Sequence, residues 1–90
     1  MSVSRKLEIV NEKGLHARAS ARFVEVVEVH DARATVTKDG MSVSGDSIMG
    51  LLMLAASRGT TIEVTTSGAD AEKLAEALTA LVDDKFGEGM

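Results

Sequence analysis

The apolar residues of this chain repeat with two different periods, and switching between them within 90 residues leaves few ways to fold. Lys6-Leu7-Glu8-Ile9-Val10 alternates with period two, the mark of a half-buried strand. From Ala17 to about Val29, Ala19, Phe23, Val26 and Val27 fall on one helical stripe. Ala34 to Lys38 and Met41 to Ser44 return to strand chemistry around Asp39-Gly40, a strong two-residue hairpin signal. Ser47 to about Ser57 reads as a short apolar helix with Ser47 as N-cap and Gly59 as stop. Thr60 to Thr66 gives a fourth strand, and Asp70 to about Phe86 a helix whose stripe is Leu74, Leu78, Leu81 and Val82. The order is therefore β-α-β-β-α-β-α. One-sided alternation in the strands predicts an α+β, open-faced two-layer sandwich: a four-stranded antiparallel sheet, wet on one face, with three helices on the other. Residues 1–90 make one domain, since this length supports a single modest core.

Composition removes most chemistries. Without cysteine there is no disulfide framework, thiolate metal site or thiol nucleophile, and two histidines alone do not build a zinc site. No metal and no cofactor is expected. Two aromatic residues and a net charge of −4 argue against binding nucleic acid. No secretory signal is visible at the N-terminus, and the longest apolar run, Ile48 to Ala56, is about half a membrane span. The expectation is a soluble, cytoplasmic chain without membrane insertion, whose neutral-pH chemistry rests on its histidines.

His16 lies between a strand and a helix in Gly14-Leu15-His16-Ala17-Arg18-Ala19-Ser20-Ala21. Gly14 permits a tight turn. His16 falls at or near the N-cap, where the amides of Ala17 and Arg18 lack intrahelical partners and, with the helix dipole, make an anion site. Arg18 adds a guanidinium able to grip phosphate oxygens. The positive helix end disfavours a second positive charge on the ring, so a neutral nucleophilic imidazole is available to attack a phosphoryl group. A histidine at a helix start is more often a simple cap, and the residues alone leave anion binding and phosphoryl transfer level. His30, near the other end of that helix and before Asp31, has no glycine turn and reads as a structural C-cap or a solvated side chain.

The segment around His16 resembles the active-site signature of the HPr family, the histidine phosphocarriers of the bacterial phosphoenolpyruvate-dependent phosphotransferase system. Ser47-Ile48-Met49-Gly50-Leu51-Leu52-Met53-Leu54-Ala55 resembles that family's second signature, and the length, the spacing and the element order agree with it. The resemblance implies that His16 takes a phosphoryl group on Nδ1 from phospho-enzyme I and passes it to EIIA-type acceptors, with Ala17 and Arg18 holding the phosphate. It implies a docking surface of Leu15, Ser20, Arg22, Ile48, Met49, Leu52 and Met53. Ser47 would be a regulatory phosphosite for an HPr kinase/phosphorylase. Ala19 departs from the usual proline, and Asp46 stands where a basic residue or asparagine is common. The helix after Ser47 is too apolar to be one-faced, which independently argues for an exposed partner patch built on adaptable methionines.

A carrier of this kind is a monomer and not a turnover enzyme. Within the family it serves sugar uptake or a nitrogen-related regulatory branch. Two readings from other classes remain: a small acylphosphatase-like enzyme, for which no Gly-rich loop ending in arginine is present, and a non-catalytic HPr-like binding module.

Overall fold

A computed structural model describes residues 1–88. The elements run β1 (Ser2–Glu8), α1 (Ala17–Glu28), β2 (Arg33–Lys38), β3 (Met41–Ser44), α2 (Ile48–Met53), β4 (Thr61–Ser67) and α3 (Ala71–Asp83), closing with a 3₁₀ turn at Lys85–Gly87. The sheet order is β1-β4-β2-β3, all antiparallel. Alternate residues of the two central strands, Ala34 and Val36 in β2 and Ile62, Val64 and Thr66 in β4, are buried under the helices. Their neighbours on the other side of the pleat are mostly exposed and hydroxyl-rich, with Ser4 bonded to Thr65 and Thr37 to Ser42. The core closes on Phe23 from α1, Leu51 from α2, Leu74, Leu78 and Val82 from α3, and Phe86.

Three boundaries differ from the sequence reading. β1 starts at Ser2, because backbone pairing from Ser2↔Ser67 to Glu8↔Thr61 needs no apolar alternation in its first half. α2 ends at Met53 instead of near Ser57: Ala55 takes φ +50, and the chain turns so that the Ala56 carbonyl accepts from the Leu15 amide at 2.9 Å. α3 ends at Asp83 and not at Phe86. Lys85 and Phe86 adopt φ +56 and +55, conformations that cost a non-glycine residue about 1 kcal/mol or more each. Full burial of the Phe86 ring opposes that cost and pins the turn onto the domain. Both altered ends bring backbone toward the loop before α1.

Candidate active site

The loop between β1 and α1 is tied down at each step. The Gly14 amide donates to the Asn11 carbonyl at 3.2 Å, and the His16 amide to the Gly14 carbonyl at 2.9 Å. Gly14 has φ +67, and a Cβ there would stand 2.6 Å from the Ala56 carbonyl oxygen, so neither the conformation nor the space admits a side chain. Leu15 then anchors in the core. His16 is the N-cap of α1: its carbonyl accepts from the Ser20 amide at 2.8 Å, and its Nδ1 accepts from the Arg18 amide at 3.2 Å. Imidazole thus performs the service usually given by serine or aspartate.

The other ring nitrogen fixes the tautomer. Nε2 meets the Glu88 carboxylate, delivered by the 3₁₀ turn 72 residues further along the chain. A nitrogen facing a carboxylate carries the proton, and a nitrogen accepting from an amide carries the lone pair, so the lone pair is at Nδ1. The His16 side chain keeps 27% of its surface exposed and Glu88 only 8%. The Asn11 side-chain amide donates to the Gly14 carbonyl at 2.8 Å and to the second Glu88 oxygen at 2.9 Å, linking loop and tail. Partial burial acts to raise the Glu88 carboxyl. Hydrogen bonds from Asn11 and His16, with the charges of His16 and Lys13, outweigh it and hold the group below the ordinary carboxylate range.

Lys13, His16, Ala17, Arg18, Arg22, Gly87 and Glu88 line an open depression of about 440 Å³. Ala17, Arg18 and Arg22 are exposed, and the Arg22 guanidinium lies over Gly87. Nδ1 therefore stands at a helix N-terminus beside an amide of the first turn, on a ring that shares its depression with Lys13, Arg18 and Arg22. That arrangement suits a nucleophile toward an anionic electrophile, with donors in place for the charge that arrives. No group of three or more His, Cys, Asp or Glu suited to a metal occurs among the described residues.

The remaining expected residues divide. Ile48, Met49 and Met53 are exposed, the methionines at 70% and 66%, and Leu52 is half-buried, on a helix that packs against α1. Ser47 is the N-cap of α2 and accepts from the Gly50 amide at 3.0 Å. Leu15 and Ser20 depart from the expected docking surface. Leu15 is buried in the core, and the Ser20 hydroxyl faces inward and donates to the Leu15 carbonyl at 3.4 Å, so both hold the loop against α1. Glu88 and Asn11 were missing from the sequence reading. No local pattern could have found Glu88, since its partner is remote in sequence and the turn that carries it breaks a good helical pattern.

The family model described as the PTS HPr component phosphorylation site matches residues 3–84. The chain belongs to the HPr family. The phosphocarrier protein HPr of Neisseria meningitidis is 47% identical over 87 residues, 97% of this chain and 98% of that protein. The phosphocarrier protein NPr of Shewanella violacea is 38% identical over 86 residues, 96% and 94% of the two chains. In structure, the crystallised HPr-C-His of Thermoanaerobacter tengcongensis superposes with a TM-score of 0.93 at 36% identity, covering 98% of this chain and 99% of that one. The HPr and NPr relatives are named as phosphocarriers, and the likeness to them covers nearly the whole chain, while the family model itself stops before Gly87 and Glu88.

Proposed function

We propose that this chain is a phosphocarrier whose reactive atom is Nδ1 of His16. The observation that carries the reading is the Arg18 amide donating to Nδ1 at the N-terminus of α1 while Nε2 faces Glu88, which leaves the lone pair on Nδ1. In the transfer, Nδ1 attacks the phosphorus of a phosphohistidine on enzyme I. The Nδ1–P bond forms as the donor's N–P bond breaks, and that electron pair returns to the donor ring. The proton on Nε2 stays in place. The Arg18 amide gives up Nδ1 as the lone pair attacks and, with the Ala17 amide and the Arg18 guanidinium, holds the incoming phosphate oxygens. A second transfer, to an EIIA-type acceptor, runs the same step in reverse.

Ile48, Met49, Leu52 and Met53, with Arg22 at the rim, form the surface on which these partners dock in turn, the carrier acting as a cytoplasmic monomer. Ser47 is the regulatory phosphosite for an HPr kinase/phosphorylase, with Asp46 beside it. Both HPr and NPr proteins stand among the relatives. The acceptor therefore decides between sugar uptake and nitrogen-related regulation. Incubation with labelled phosphoenolpyruvate, magnesium and enzyme I tests the reading. One acid-labile, alkali-stable phosphate per chain is expected, absent in His16→Ala and transferable to an EIIA protein. Label retained by His16→Ala contradicts it.

A further inference from the structure

The C-terminal turn is held at the active site by more than chance contact. Lys85, Phe86 and Gly87 take left-handed backbone in succession, with φ of +56, +55 and +77. Two of these are not glycine, and such runs persist only where the surroundings impose them. Phe86 is fully buried and sets the turn, Gly87 passes under the Arg22 guanidinium, and Glu88 arrives with its carboxylate split between two partners. One oxygen faces His16 Nε2. The other accepts from Asn11, which is itself fully buried and bonded to the Gly14 carbonyl. Asn11 thereby fastens the tail to the turn that sets the histidine.

We propose that Glu88 is a positioning residue for phosphoryl transfer, latched by Asn11 and the Phe86 turn, which holds the proton on His16 Nε2 and so keeps the lone pair on Nδ1, on the side of the Arg18 amide, for attack. The inference rests on the phosphocarrier reading. As Nδ1 gains phosphorus, the ring becomes positively charged while its Nε2 proton stays. The fixed carboxylate faces that charge with no reorganisation at the moment of reaction. Outer partners that orient a metal-bound imidazole typically change its performance ten- to a hundredfold, and the lower end of that range is the effect expected for this metal-free ring. The hydrogen-bond partners of the Glu88 carboxylate are Asn11 and His16, and not the exposed residues of α2, so its effect falls on the rate of the bound complex and not on binding.

The test joins two readouts on the intact chain labelled with ¹⁵N. In the unmodified protein the His16 Nε2 proton, shielded by Glu88, gives a resolved proton resonance bound to ring nitrogen. Glu88→Ala loses that resonance to water exchange, and kcat for phosphate acceptance from enzyme I falls about tenfold with KM within about twofold. Glu88→Gln, which keeps an acceptor without the charge, retains the resonance but not the full kcat. Asn11→Ala follows Glu88→Ala in both readouts. An unchanged resonance in Glu88→Ala overturns the proposal, and so does an unchanged kcat. The resonance is read without a partner protein. Failure of the latch is thus distinguishable from failure of the phosphocarrier reading, which shows itself as label retained by His16→Ala.

Discussion

His16 and His30 stand at opposite ends of α1, and their Nδ1 atoms act in opposite senses. At the N-terminus the Arg18 amide donates to His16 Nδ1 at 3.2 Å. At the C-terminus His30 Nδ1 donates to the Val26 carbonyl at 2.7 Å. Helix polarity dictates both bonds, because orphan donors crowd one end and orphan carbonyls the other. The consequence is chemical. His16 presents a lone pair where an anion is welcome, whereas the Nδ1 of His30 is spent as a donor beside carbonyl oxygens. A cation does not make the difference, since Arg33 lines the depression of about 490 Å³ that also holds His30 and Asp31. What His30 lacks, among the described residues, is an amide donor to hold a lone pair on Nδ1 and a second partner to fix its ring.

The comparison breaks most easily at the two rings themselves. His16→Ala removes all phosphate acceptance from enzyme I, while His30→Ala leaves the initial rate unchanged and lowers stability to unfolding by about 1 kcal/mol. Labelled-phosphate uptake and urea denaturation check the pair. Next in size is Arg18→Ala. Loss of the guanidinium beside the arriving phosphate slows acceptance by about a hundredfold, read as kcat/KM for the carrier as substrate. Gly14→Ala adds a Cβ against the Ala56 carbonyl oxygen and forces a left-handed alanine. It costs about 2 kcal/mol or more of stability and slows transfer by displacing the ring.

Much of this contrast was legible in the sequence, for local reasons. Gly14, His16 and Arg18 sit within one turn of a periodic helix, so the glycine turn, the N-cap and the guanidinium could be assembled from spacing alone. The two-layer fold followed from period switching, whose apolar faces must be buried somewhere. Contacts made by closure of the whole chain stayed hidden. Ala56 meeting Leu15, and Glu88 meeting His16 and Asn11, depend on helices that stop earlier than their residues require. Leu54-Ala55-Ala56 and Lys85-Phe86 carry no breaker, and only tertiary packing turns them out of helix. Leu15 and Ser20 were misplaced for a related cause. Proximity to a reactive residue says nothing about which way a side chain points.

The smallest expected effect is acid dependence. The Glu88 carboxyl lies below its ordinary value of 4.5 in the folded chain, partial burial being outweighed by Asn11, His16 and Lys13. A depressed carboxyl contributes stability above its unfolded value and loses it as pH falls through the folded one. Glu88→Gln therefore lowers the neutral plateau, flattens the acid limb of the stability curve and converges with the unmodified chain at low pH, as thermal unfolding across a pH series shows. An acid limb identical to that of the unmodified chain contradicts a native Glu88 contact.

The central claim concerns one atom. Phosphorus and proton–nitrogen correlation spectra of the chain phosphorylated by enzyme I identify the nitrogen that carries the phosphate. The account predicts a single phosphohistidine at His16 with phosphorus on Nδ1 and the proton retained on Nε2. Phosphorus on Nε2 of His16, or on His30, contradicts it.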